Sequence, residues 1–105
     1  MYKLKDALIE EQQRLEKIIA RAEMENSHMP EGYLRISKHE NRCRYYHCKT
    51  DRNGTYIPKK NIVLSKQLAQ NAYNKSIIEK AEALLEQINK RLEADADEEM
   101  KKLYD

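Results

Sequence analysis

Residues 30–61 read PEGYLRISKHENRCRYYHCKTDRNGTYIPKKN, and this stretch decides the fold. It contains three short runs of β-favouring residues, at 33–37, 42–48 and 55–57, which are separated by turn-forming residues. The first turn covers 38–41, and the second contains Asn53-Gly54, a pair that tolerates a positive φ. We therefore predict a three-stranded antiparallel sheet over residues 33–58.

The alternation of side chains predicts which face of this sheet is buried. Leu34 and Ile36 share one face of the first strand, so that one side of the sheet is apolar. The second strand allows two registers. The two arginines favour the one in which the outward side chains are Arg42, Arg44 and Tyr46 and the inward ones are Cys43, Tyr45 and His47. The reverse register is the alternative.

Long amphipathic helices flank the sheet on both sides. Residues 1–26 contain no Gly or Pro and carry a heptad-like apolar stripe that Glu11 interrupts, which leaves either a frayed first half or a partner for this carboxylate. Residues 61–94 carry a second continuous stripe, with Asn61 as a reasonable N-cap. Asp97 is a candidate N-cap for a short helix at 97–104.

These elements predict an α+β fold in which the two long helices form an antiparallel pair. The predicted contacts of the pair are apolar side chains spaced along both stripes, namely Leu8, Leu15, Ile18, Leu84, Ile88 and Leu92. At ~1.5 Å per residue the second helix outruns the first by ~15 Å. An apolar stripe that extends beyond its cover favours self-association, so we expect a homodimer through helix 61–94.

Composition bounds the class of protein. The chain has 105 residues, of which 36% are charged and 40% hydrophobic, and this predicts one small domain over 1–105 with a thin core. No stretch approaches the ~20 apolar residues of a membrane span, and the N-terminus is charged and periodic rather than a signal peptide. We therefore expect a cytoplasmic protein without a membrane partner. Cys43 and Cys48 lie five apart on one strand, beyond disulfide reach, and are expected to be reduced thiols.

The positive charge is concentrated in the predicted sheet. Residues 33–60 hold eight basic and two acidic side chains, a net charge of +6, whereas 1–32 and 61–105 are each −2. Tyrosines are interleaved with these bases, as phosphate contact and base stacking require. A solvated surface that balances two acidic helices is the alternative. The candidate binding residues are Arg35, Arg42, Arg44, Tyr46, Lys49, Arg52, Lys59 and Lys60.

Other residue patterns do not favour a metal, a cofactor or catalysis. His39, Cys43, His47 and Cys48 include the donors that zinc prefers, but they lack the tight C-x2-C type of spacing. A cysteine nucleophile needs a base within reach, and a histidine on the same strand does not easily reach the thiol. A phosphate-binding loop needs more than the two glycines of this chain. We therefore expect a non-enzymatic protein without cofactors.

Residues 30–77 carry four short strings that support a resemblance: PEGYLRIS, RYYH, NGTYIPK and LAQNAY. Together they resemble uncharacterised proteins of gut Firmicutes, in whose longer members this region looks like an N-terminal module of restriction-endonuclease-like proteins. The resemblance implies a setting among nucleases and mobile elements and lends no catalytic residue. More loosely, three strands followed by a helix resemble the arm-type DNA-binding domains of phage integrases, a likeness of fold only.

Three functions compete on these grounds. The first is a non-enzymatic module from a mobile-element or phage-like setting whose basic sheet docks on nucleic acid or a nucleoprotein. The second is an anti-CRISPR type of inhibitor that binds a Cas nuclease and blocks its DNA binding. The third is a structural helical dimer. The sequence leaves open whether the partner is nucleic acid or protein.

Overall fold

The computed structural model describes residues 3–50 and 52–104, and it confirms the predicted α+β fold. The elements are helix α1 (Leu4–Ser27), strands β1 (Tyr33–His39), β2 (Arg42–Cys48) and β3 (Thr55–Ile57), a 3-10 turn (Lys59–Asn61) and helix α2 (Ile62–Tyr104). Within the described ranges, neither helix has the length and apolarity needed to cross a membrane.

The separate C-terminal helix predicted at 97–104 is wrong, because α2 continues without a break to Tyr104. Residues 62–104 contain neither Gly nor Pro, and alanines at 94 and 96 favour continuation of the helix. Arg91 also reaches forward one turn, with 3.5 Å between its Nε and the Oδ1 of Asp95. Asp97 therefore lies inside a helix instead of capping one.

The N-cap prediction for Asn61 is also wrong. Asn61 ends the 3-10 turn, where its backbone N–H donates to the carbonyl of Pro58 over 2.9 Å. Pro58 precedes this turn with an extended backbone, φ −64° and ψ 152°. The proline thus ends the sheet and the following turn directs the chain into α2.

The chain divides into two compact units. The helical unit comprises the described residues up to Arg21 together with those from Ile77 onward, and the sheet unit comprises Ala22–Ser76. Both helices contribute residues to each unit. The expectation of a single domain stays a prediction.

In the helical unit α1 and α2 run antiparallel. The Gln12 side-chain amide donates to the Oδ1 of Asn89 over 2.7 Å, and Lys5 lies 4.0 Å from Glu99. Leu15 is 3% exposed and is buried between the helices with Ala81. The other predicted contacts Leu8, Ile18, Ile88 and Leu92 are half-buried.

Leu84 is less buried than its predicted place in the helix pair implies. It is 49% exposed and borders a groove of about 250 Å³ that Leu8 and Leu15 also line. Ala81, one helical turn earlier, takes the buried place instead. The buried face of α2 therefore includes Ala81 and leaves half of the Leu84 side chain exposed. It is rotated slightly from the face that the large apolar residues alone indicate.

The polar interruption of the α1 stripe has a local partner. The guanidinium of Arg14 donates two hydrogen bonds to the carboxylate of Glu11, three residues earlier. This hydrogen bonding holds the pKa of the Glu11 carboxyl below its usual value. The charge of Glu11 is thus balanced within α1 itself.

The length argument for a homodimer does not hold in the helical unit. Because Lys5 lies beside Glu99, α1 accompanies α2 almost to the end of its described residues. The extra length of α2 belongs to the sheet unit, where its first turns line the sheet. Self-association stays a prediction without this support.

We expect Leu15→Ala to lower the free energy of unfolding by about 2 to 4 kcal/mol, because it removes a buried side chain and leaves a cavity. The matched variant Leu84→Ala should cost about 1 kcal/mol or less, since half of that side chain already meets water. Urea titration followed by circular dichroism measures both. Equal losses would contradict the assignment of Leu15 to the core.

In the sheet unit the strands lie in the order β1-β2-β3, and both pairings are antiparallel. Leu34 pairs with His47 and Ile36 with Tyr45, while Arg35 pairs with Tyr46. Directly paired residues share a face, so this register confirms the predicted orientation of the second strand.

We call the two sides of the sheet the inner face and the outer face. The inner face carries Leu34, Ile36, Lys38, Cys43, Tyr45, His47, Thr55 and Ile57, and the outer face carries Tyr33, Arg35, Ser37, His39, Arg42, Arg44, Tyr46, Cys48 and Tyr56. The first turns of α2 lie along the inner face, where Ile57 and Leu68 are buried.

A cluster of side-chain amides joins the end of α1 to α2 within the sheet unit. Asn74 donates to the Oδ1 of Asn26 over 3.0 Å, and Asn26 donates to the backbone carbonyl of Asn71 over 3.3 Å. Asn71 in turn donates to the carbonyl of Pro30 over 3.3 Å. Because buried amides need such partners, the cluster fixes the register of the two helices.

Both glycines of the chain close against Cys48, the last residue of β2. Gly32 (φ +102°) and Gly54 (φ +72°) have left-handed backbones. A Cβ at Gly32 would overlap the carbonyl oxygen of Cys48, and one at Gly54 would lie 2.5 Å from its Sγ. Cys48 is fully buried, and its thiol donates to the carbonyl of Arg52 over 3.6 Å.

We expect Gly32→Ala and Gly54→Ala each to lower the free energy of unfolding by about 1 to 3 kcal/mol, because both combine a positive φ with a collision. Replacing Cys48 by Ala removes Sγ but not the backbone carbonyl. The cost of Gly54→Ala should therefore be at least about 0.5 kcal/mol smaller in a Cys48→Ala background.

The cost of Gly32→Ala should be the same in both backgrounds, which makes it the control for this double-mutant cycle. Chemical denaturation of the three single and two double variants measures the coupling. If Cys48→Ala reduces the cost of Gly32→Ala as much as that of Gly54→Ala, the packing described around Cys48 is contradicted.

Candidate functional site

The outer face of the sheet combines cations and aromatic rings. No residue of the described strands is acidic. Three arginines and three tyrosines project from this face, together with His39. The face therefore presents positive charge beside flat rings, which is the combination that the sequence analysis predicted for the sheet.

Arg42 and Arg44 lie at the hairpin end of the outer face and are both exposed. They pair across β1 with His39 and Ser37, neither of which is an anion. Neither arginine makes an ion pair or a side-chain hydrogen bond with a described residue. Both guanidinium groups are therefore available to an external anion.

Arg35 has a different environment because it is held by the protein. Its guanidinium lies 4.0 Å from the centroid of the Tyr46 ring, and its Nη2 donates to the carbonyl of Asn53 over 2.8 Å. Its Nε is buried and has no acceptor among the described residues. Arg35 thus fastens the β2–β3 turn to the sheet, and a role in binding stays a prediction.

The aromatic row continues from Tyr46 to Tyr56. The two ring centroids are 5.8 Å apart with an interplanar angle of 66°, an edge contact that aromatic pairs favour. Tyr56 is 50% exposed, and Tyr33 on β1 is 46% exposed. Tyr56 is absent from the residues selected by sequence, because only the register of a three-residue strand places it beside Tyr46.

The remaining four predicted binding residues lie outside the strands. Lys49 and Arg52 belong to the β2–β3 turn, and Lys59 and Lys60 belong to the 3-10 turn before α2. All four are exposed. The structure thus brings Arg35, Arg42, Arg44 and Tyr46 together on one face and places the other cations in two flanking turns.

A cavity of about 480 Å³ opens beside β3, and the sequence gives no sign of it. Its lining comes from the end of β2, the following turn, β3, the 3-10 turn and the start of α2, and it includes Lys49, Thr50, Thr55, Tyr56 and Asn61. Because these five elements form the walls only when they are folded against one another, neither motif nor spacing predicts them.

The cysteines and histidines of the sheet do not form a metal-binding cluster. Across residues 3–50 and 52–104, no group of three or more His, Cys, Asp or Glu side chains is placed to hold a metal ion. Cys43 is exposed, whereas Cys48 is fully buried. The Nε2 of His47 lies 2.6 Å from the carbonyl oxygen of Glu31, which fixes the ring.

We expect Arg35→Ala to lower the free energy of unfolding by about 1 to 2 kcal/mol, because it removes both the stacking on Tyr46 and the hydrogen bond to Asn53. Arg44→Ala on the same face should change it by less than about 0.5 kcal/mol, since this side chain has no partner in the described structure. Thermal unfolding monitored by circular dichroism measures both. Similar stabilities would show that the stack contributes little.

No family model, no curated protein and no solved structure matches this chain. The resemblances to the gut Firmicutes module and to integrase arm-type domains therefore stay expectations from the sequence.

Proposed function

We propose that this protein is a non-enzymatic binding module whose sheet unit docks on nucleic acid through the outer face. One observation supports this most strongly: Arg42 and Arg44 are exposed and unpaired on a sheet face that carries three tyrosines and no acidic strand residue. A polyanion with planar bases is the partner that complements both properties.

The different roles available to the arginine and tyrosine side chains support the same proposal. The free guanidinium groups of Arg42 and Arg44 suit phosphate oxygens, which they can contact in a bidentate manner. The rings of Tyr33 and Tyr56 are half exposed, and each can stack on a base. Arg35 and Tyr46 form a fixed platform between them, so that little side-chain entropy is lost on binding.

The experiment measures the affinity of the protein for a fluorescent oligonucleotide as a function of salt. We expect Arg42→Ala with Arg44→Ala to weaken binding and to reduce the slope of log K against log salt by about two, because each lost phosphate contact removes about one released counterion. Circular dichroism should show an unchanged fold, since both residues are exposed.

Lys101→Ala with Lys102→Ala is the matched control. These lysines are exposed near the end of α2 and carry the same total charge, but they belong to the helical unit. The control should leave affinity and slope unchanged. Absence of binding to any oligonucleotide at low salt would overturn the proposal and would favour the alternative, an anti-CRISPR type of inhibitor that binds a Cas nuclease.

A further inference from the structure

The cavity beside β3 is open to solvent and belongs to the sheet unit, and the proposed docking of phosphates does not use it. Its volume of about 480 Å³ falls within the range of small-molecule sites. Its wall includes Ile57 and Leu64, which provide an apolar floor, and Tyr56 provides an aromatic side. A planar group with a polar edge would fit such a lining.

Four polar side chains of the cavity are free to recognise a ligand. Thr50, Thr55 and Asn61 make no side-chain hydrogen bond with a described residue, and neither does the ammonium of Lys49. Hydroxyl and amide groups both donate and accept, so together they match the mixed donors and acceptors on the edge of a nucleobase. The lysine adds a cation suited to the attached phosphate.

Tyr56 connects the cavity to the outer face. Its ring contacts Tyr46 edge-on and also borders the cavity. A strand whose backbone lies on the outer face would therefore pass the cavity mouth at β3. In a duplex the Watson–Crick edges are already paired, so only an unpaired or extruded base can enter a cavity of this kind.

We infer that the cavity beside β3 receives one unpaired nucleobase, and that the protein therefore prefers single-stranded nucleic acid to duplex. This inference rests on the proposed function, because it assigns a ligand class to a subsite of the same interface. The recognising side chains are Thr55 and Asn61, with Tyr56 as the stacking wall.

The test compares four probes of equal length: a single-stranded DNA, the RNA of the same sequence, the DNA duplex, and a single strand in which abasic residues replace the nucleotides. The cavity variant, Thr55→Val with Asn61→Ala, removes the polar groups proposed to recognise the base. Valine keeps the size of the side chain at position 55 on β3, and both positions are exposed. Fluorescence anisotropy measures every affinity, and circular dichroism verifies the fold of each variant.

We expect the parent to bind at least one of the single strands more tightly than the duplex and to bind the abasic strand more than about thirtyfold more weakly, because that strand loses both the hydrogen bonds in the cavity and the stacking on tyrosine. The cavity variant should lose affinity for the normal single strand by about five- to thirtyfold, which corresponds to two lost hydrogen bonds. It should bind duplex and abasic strand as the parent does. Arg42→Ala with Arg44→Ala, in contrast, should weaken binding to all four probes.

The failures are distinguishable. A parent that binds duplex as tightly as both single strands overturns the base-binding cavity and leaves the outer-face proposal intact. Equal affinities of parent and cavity variant for the normal single strand overturn it as well. A parent that binds none of the probes overturns the proposed function and this inference together.

Discussion

The sheet depends on the close packing of two glycine turns against Cys48. The chain enters β1 through Gly32 and enters β3 through Gly54, and each glycine stands where a Cβ would collide with the last residue of β2. Any other residue at either position would force the strand ends apart. This constraint explains how a three-residue strand such as β3 can pair in register with β2.

This packing is connected to the outer face through the β2–β3 turn. The turn that covers Cys48 carries Asn53, whose carbonyl accepts the hydrogen bond from Arg35. Arg35 is thereby held over Tyr46, and Tyr46 contacts Tyr56 on β3. A buried thiol, a glycine turn and a stacked arginine thus form one continuous set of contacts from the interior of the sheet unit to its aromatic surface.

The sequence predicted the elements of the fold well because they rest on local chemistry. The strands follow from alternating β-favouring runs, and Asn53-Gly54 indicates its turn; the proposed outward orientation of Arg42 and Arg44 agrees with the register. Apolar residues elsewhere were less reliable guides. Leu84 is half exposed while the smaller Ala81 is buried, since helix packing depends on how closely backbones approach as well as on hydrophobicity.

Features that depend on several segments could not be predicted from the sequence. One such feature is the continuation of α2 past Asp97. Asp favours the N-cap of a new helix, whereas the alanines beside it favour continuation, so the residues at 94–97 alone do not decide between the two. The amide cluster of Asn26, Asn71 and Asn74 joins residues far apart in the chain, and the cavity beside β3 depends on how the elements between His47 and Leu64 fold against one another. The structural role of Arg35 was likewise hidden, because its charge placed it with the exposed arginines.

Because the arginines have different environments, affinity and selectivity would depend on different side chains in such a module. In the proposed function, contacts of Arg42 and Arg44 with phosphates would depend on charge and would be the same for every sequence. Selectivity would then have to come from groups that meet the bases, which on this surface are tyrosine rings and the polar wall of the cavity. Because Arg35 stabilises the fold as well, its loss would lower affinity for reasons unrelated to phosphate contact. In the proposed function, the exposed arginines are therefore the side chains through which the electrostatic part of binding would be changed without altering the sheet.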